Sequence, residues 1–230
     1  MKTLAMGYLN IQRTRILLCV IIPALLPLGG IVLFQWLPTA VLKYFFFTKG
    51  IVAWTFTEYC THRWAFHGRP NKSSKDRDMF NHTYHHTHPA DMIITPFVRM
   101  LCAAVLIAGA WGLVAGSVWV AYPLGWLCGL ASYLFMHYFL HQPAAVKYVP
   151  NLVKQHIWHH CKYHDKCFGV VSTFWDRVFK TQPAHFRELP EKMVRFYYSH
   201  HQLGEPYIEM IKHRLMAKTG TVEKHMGEAA

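Results

Sequence analysis

Charge is scarce in this chain. Of its 230 residues, 16% are Asp, Glu, Lys or Arg, where about 25% is ordinary for a soluble protein. The shortage is concentrated: no charged residue occurs from Ile16 to Leu42, and none from Met100 to Val146. A soluble core does not need such runs, and the second could supply two membrane helices of ~20 residues each. Carboxylates are the scarcer half, 12 against 24 Lys and Arg, and they do not cluster, which argues against a Mg or Ca site. The six cysteines (Cys19, Cys60, Cys102, Cys128, Cys161, Cys167) include no C-x-x-C pair. No zinc motif or dithiol fits their spacing, and they read as free thiols acting as small hydrophobes. A cleavable signal peptide is not expected. The apolar run after Arg13 and Arg15 is too long, holds Pro23, Pro27 and Gly29-Gly30, and lacks a small-residue cleavage site. No internal repeat or low-complexity tract occurs.

What is present is apolar and basic. Hydrophobic residues make up 53% and aromatics 15%, with a formal net charge of +12. The basic residues flank apolar segments rather than forming a platform studded with aromatics. That arrangement suits anionic lipid headgroups, and nucleic acid is not expected as a partner.

The expected architecture is an all-α integral membrane protein of about four transmembrane helices with a cytoplasmic, histidine-rich metal-binding cap. The spans are expected over about Ile16–Leu37, Val41–Phe66, Phe97–Ala115 and Trp119–His141, with a first hairpin that does not fully cross as the alternative. The whole chain, 1–230, reads as a single membrane domain with a histidine-box core over about 50–182 and a basic cytoplasmic tail over 183–230. That tail carries two short amphipathic patterns, Glu191–His200 and Pro206–Lys218, expected to lie on the cytoplasmic face. Lys2, Arg13, Arg15, the 68–99 loop and everything beyond Lys147 fall on one side, which the distribution of basic residues makes cytoplasmic. Both termini and the metal site are then cytoplasmic in a multi-pass protein.

Histidine is the residue in excess. Ten of the 17 histidines fall into four clusters: His62 and His67; His82, His85 and His86; His137 and His141; His156, His159 and His160. The first and third clusters close expected membrane helices on the cytoplasmic side, and the other two lie in cytoplasmic segments. On an α-helix, positions i, i+3 and i+4 share a face, so each H-x-x-H-H triad is expected to present three imidazoles to one point. His62 and His67 are about 140° apart at ~100° per residue. They converge only through a bulge, a helix end, or two different metals lying between them, and the last is expected. One zinc-like site takes about four ligands, so ten histidines suit two ions with about five each. Imidazole suits Zn, Cu, Fe and Ni, and spacing alone does not choose among them. His88 and His164 adjoin clusters and stay open as further ligands. His185, His200, His201, His213 and His225 read as surface or core histidines. Glu58, Asp91 and Asp176 are candidates to accept a proton from the outer nitrogen of a ligating histidine.

The phrases EYCTHRWAFH (58–67), HTYHHTHPAD (82–91), HYFLH (137–141), HIWHH (156–160) and FGVVSTFWDRVF (168–179) resemble, in this order, the fatty acid hydroxylase superfamily of sterol desaturases, acyl 2-hydroxylases and carotenoid hydroxylases. The resemblance implies a membrane non-haem di-iron oxygenase whose ten matched histidines bind two iron ions, with zinc as a possible occupant of the isolated protein. It implies O2 as co-substrate, removal of hydrogen from an unactivated C–H bond and return of a hydroxyl, with no side-chain general base. HHTHPADMIITPF and FGVVSTFWD look most similar to the fatty acid 2-hydroxylases, so the expected substrate is the acyl chain of a fatty acid or sphingolipid. The His-Pro-Gly-Gly of the haem domain in many such enzymes does not occur here. A separate electron-transfer protein, cytochrome b5-like or ferredoxin-type, is therefore expected. Carotenoid or sterol hydroxylation or desaturation within the superfamily is the runner-up. A histidine-rich membrane metal transporter is the reading from a different class, but it would hold its ligands at mid-membrane.

Overall fold

The computed structural model describes residues 39–68, 82–89, 107, 120–183 and 189–217. Every regular element among them is helical. The expected first and third membrane helices, most of the 68–96 loop, Asp91, His185 and His225 lie outside the described residues. Helix α1 spans Thr39–Cys60 and runs directly into a π-helical turn, Thr61–Phe66. α2 is His82–Thr87, α3 is the helix over 120–140, α4 Ala145–Tyr148 and α5 Pro150–Cys161. α6 is Phe174–Val178, α7 Glu191–Tyr197 and α8 Glu205–Ala217, with a short 3-10 turn, Ser199–His201, between the last two. No helix among the described residues is long and apolar enough to cross a membrane. In α1 the apolar run is interrupted by Lys43, Lys49 and Glu58, and in α3 by glycines, Pro123 and His137.

The chain divides into two compact units, residues 1–72 with 93–134 and residues 73–92 with 135–230. In the first, α1 packs against the 120–134 part of α3. Leu42, Phe46 and Ala53 meet Ala121 and Tyr122, with Phe45, Phe47 and Trp126 against them. Trp54 stands edge-on to Trp126 at 4.5 Å between ring centroids. Glycine makes this approach possible. A Cβ on Gly125 would lie 2.0 Å from the Phe47 carbonyl oxygen, and one on Gly50 would lie 2.2 Å from that of Tyr122.

The second unit is built on α5. Pro150 opens this helix, where a missing N–H costs nothing and the fixed φ is already helical. Val153 and Ile157 are buried on α5, with Val194 and Tyr197 of α7 and Ile208, Ile211 and Leu215 of α8. The tail patterns expected over Glu191–His200 and Pro206–Lys218 therefore form helices close to those bounds. Their apolar faces complete the core of this unit. Arg195 ties α7 to α8 through Glu191 and Glu205, and Lys212 reaches Glu191 at 2.9 Å.

Candidate metal centre

The second unit gathers eight of the ten expected histidines, and it sorts each triad two ways. His85, His137, His141, His156 and His160 form one group, all buried, with ligand nitrogens within 4.8 Å of one another. His82, His86 and His159 form another, equally close and buried. The expectation that H-x-x-H-H aims three rings at one point is thus corrected. At ~100° per residue, i+4 lies about 40° to one side of i and i+3 about 60° to the other. A triad therefore straddles two points: His82 and His86 go one way and His85 the other, as His156 and His160 part from His159. The two groups touch, since His86 stacks on His160 at 4.4 Å and 14°.

In the first unit, the His62–His67 pair also departs from expectation. The π turn lets the His67 N–H donate to the His62 carbonyl at 3.2 Å, an i→i+5 bond. Five residues then make one turn instead of overshooting it, and the two rings lie 5.2 Å apart on one side. A bulge, not a pair of metals, resolves their spacing.

The five-histidine group has the chemistry of a metal site. His85 Nε2 faces His137 Nε2 at 3.1 Å, and His156 Nε2 faces His141 Nε2 at 3.1 Å. His141 Nδ1, His156 Nδ1 and both nitrogens of His160 are buried with no hydrogen-bond partner. Leaving a buried polar group unpaired costs about 1–3 kcal/mol, and an ion taking the one lone pair of the neutral His160 ring would relieve part of that cost. Burial first, and neighbouring histidines second, hold His156 and His160 well below the ordinary histidine range. Both rings stay neutral, the form that ligates. The donor set therefore fits a transition metal. Neither nearby cysteine joins it: burial pushes the Cys161 thiol up to about 12, and that of Cys167 is raised by burial and then by Asp176.

Outer contacts fix several rings. His159 donates its Nδ1–H to the Lys166 carbonyl at 2.7 Å, which leaves Nε2 as the ligating nitrogen. His164, one of the two open positions, places Nδ1 3.0 Å from His86 Nδ1, so it stands behind a group member rather than within the group. His88 is exposed, lies 3.2 Å from the Tyr84 carbonyl and stacks on the Tyr84 ring at 4.3 Å, away from the groups. Glu58 is buried one turn before His62. The Asp176 carboxylate accepts the backbone amides of Phe168 and Gly169.

Two contacts come from the tail and carry no motif. Tyr197 stacks on His141 at 4.7 Å and 21° and donates its hydroxyl to the Leu140 carbonyl at 3.1 Å. His201, expected as a surface or core histidine, donates Nε2–H to the His141 carbonyl at 3.0 Å. His200 and His213 are exposed, as expected.

Residues 47–181 match the model of the family described as fatty acid hydroxylase. The chain is 34% identical over 141 residues to the dihydroceramide fatty acyl 2-hydroxylase FAH1 of Arabidopsis thaliana, covering 59% of each. It is 32% identical over 155 residues to the ceramide very long chain fatty acid hydroxylase scs7 of Schizosaccharomyces pombe, covering 62% of this chain and 44% of that one. It is 31% identical over 143 residues to the fatty acid 2-hydroxylase of Mus musculus, covering 59% and 38%. The matched segment thus spans less than two thirds of each relative's length. Among solved structures, full-length scs7p, with only its hydroxylase domain visible, matches at a TM-score of 0.49 and 24% identity over 78% of this chain and 65% of that one. With more than half its length matched by the family model, the chain belongs to the fatty acid hydroxylase family.

Proposed function

We propose that this chain is an O2-dependent hydroxylase that places a hydroxyl on the 2-carbon of a lipid acyl chain. The observation that carries this reading is the buried, all-imidazole group of His85, His137, His141, His156 and His160 in a member of this family. The names of the relatives supply the substrate class. The ten histidines His62, His67, His82, His85, His86, His137, His141, His156, His159 and His160 are proposed as ligands of two iron ions. Zinc can take the same donors in the isolated protein. Bound iron supplies the reductive activation of O2 toward a C–H bond. The balance is R–H + O2 + two electrons + two protons giving R–OH + H2O, with the electrons drawn from a separate redox protein.

The chain's own residues hold and shield. The rings of His156 and His160 stay neutral and present lone pairs without first releasing a proton. Tyr197 walls the five-histidine group, standing edge-on to His160 at 5.5 Å and stacked on His141, and so keeps water from that side. No side chain is needed as a general base.

We place the protein in a membrane, with four spans and the metal site and termini cytoplasmic. The apolar runs 16–42 and 100–146 support this. So do large apolar side chains that are exposed on the described helices: Val41, Tyr44 and Val52 on α1, and Leu124, Phe135 and Tyr138 on α3. Such surface suits lipid better than water. The whole chain is taken as one functional domain. The histidines on α3 sit at its last turn rather than its middle, which speaks for an enzyme over a transporter.

The test is reconstitution. The chain in detergent is loaded with Fe(II), counted, and supplied with a ceramide or acyl substrate and a reductant. Two irons per chain and substrate-dependent O2 uptake are expected. Fewer than one iron per chain after loading, or O2 uptake indifferent to lipid, contradicts the reading.

A further inference from the structure

The phrase FGVVSTFWDRVF follows the last histidine cluster and carries one carboxylate, Asp176. Asp176 is fully buried. A buried carboxylate persists only where hydrogen bonds replace its lost water, and those of Asp176 come from two amides and a hydroxyl. Oδ1 accepts the Phe168 N–H at 2.9 Å and the Thr181 hydroxyl at 2.7 Å, and Oδ2 accepts the Gly169 N–H at 2.8 Å. Bonds to an ionised acceptor are stronger than neutral ones. The backbone doubles the tie: the Thr181 N–H donates to the Asp176 carbonyl at 2.8 Å, and the Cys167 N–H donates to the Thr181 carbonyl at 2.9 Å. The segments 167–169 and 176–181 are therefore locked together. Gly169 is part of the lock, since a Cβ there would lie 2.0 Å from the Ser172 carbonyl and 2.8 Å from Asp176 Oδ2.

What the lock holds is an unfavourable turn next to a histidine. Cys167 adopts φ 57, a left-handed conformation that a non-glycine residue keeps only when its surroundings impose it. This turn aims the Lys166 carbonyl at His159 Nδ1, 2.7 Å away. The Phe168 ring lies edge-on to His159 at 5.8 Å. We propose that Asp176 is a positioning residue for His159. Through the amides of Phe168 and Gly169 and the hydroxyl of Thr181 it fixes the 166–169 turn, and through the Lys166 carbonyl it sets the tautomer and plane of the ring. The proposal rests on the reading of the histidines as metal ligands. Because His159 groups with His82 and His86 and not with the five-histidine group, Asp176 governs one ion of the two.

The full chain in detergent is stripped of metal and titrated with Co(II), whose imidazole complexes absorb in the visible; helix content and melting are followed by circular dichroism. Wild type is expected to bind two ions. Asp176→Asn puts an NH2 or a lost charge against the Gly169 and Phe168 amides and is expected to weaken one ion about 10–100-fold, the usual effect of removing an outer partner, while the other binds as before. Thr181→Val moves the same ion in the same direction by a smaller factor, and Thr181→Ser restores it. Asp176→Asn binding both ions as wild type does, or losing both in parallel, overturns the proposal. Should Asp176→Asn yield no folded chain, Thr181→Val decides by the same criteria. A wild type that binds no Co(II) speaks against the ligand reading itself, which keeps the two failures apart.

Discussion

The backbone N–H of His67 donates to the carbonyl of His62, five residues back, at 3.2 Å. On a regular helix these two side chains point apart. The π turn over Thr61–Phe66 brings them to one side with ring centroids 5.2 Å apart. Single π turns of this kind recur at functional sites, because one extra residue re-aims a side chain without ending the helix.

In the proposed metal centre this relationship has the two histidines serve one ion. His62→Ala and His67→Ala are each expected to cost the same single metal ion, and the double variant no more than that one. Metal counting on the purified variants checks it; loss of both ions in the double variant would assign the pair to different ions.

Tyr197 is expected to matter through its ring. Tyr197→Phe keeps the stack on His141 and gives up the bond to Leu140, a loss of about 1 kcal/mol in melting, with metal binding unchanged. Tyr197→Leu removes the stacked ring from the wall of the five-histidine group. It is expected to weaken one class of Co(II) site about tenfold, as loss of an outer support does. Equal isotherms for wild type and Tyr197→Leu would limit the tyrosine to packing.

The α1–α3 contact depends on glycine. Gly125→Ala places a Cβ 2.0 Å from the Phe47 carbonyl oxygen, and backbone cannot swing aside as a side chain can. Overpacking of this kind costs about 1–3 kcal/mol or more. Gly204→Ala meets nothing nearer than Pro206 Cδ at 3.8 Å and is expected within about 0.5 kcal/mol of wild type. Thermal melts of the two variants in the same detergent make the comparison.

The histidine clusters were legible because residues on one helix face recur at i, i+3 and i+4. His82, His85 and His86 do lie on one helix, as do His156, His159 and His160. How each triad divides was within reach of the same geometry: i+3 and i+4 fall on opposite sides of i, a detail that a shared face conceals. The π turn was within the options for His62 and His67 as a bulge, but their spacing is the same whether the helix bulges or not, and two metals were expected instead. Tyr197 and His201 were missed for another reason. They meet His141 across about 60 residues of sequence, and a tyrosine in a basic amphipathic tail carries no spacing to betray a long-range contact. Asp176 was noticed as a carboxylate, but its partners are two backbone amides and the Thr181 hydroxyl, which no spacing displays.

The central claim is hydroxylation of a lipid acyl chain, and lipid mass spectrometry of cells expressing the chain tests it most directly, beside cells expressing a His159→Ala, His160→Ala double variant that removes one ring from each group. The account predicts that a lipid class gains one oxygen with the wild type alone, and that fragmentation places it on the carbon next to the acyl carbonyl. A lipid class that instead loses two hydrogens, or lipids identical in both cells although iron is bound and a reductase is supplied, would contradict it.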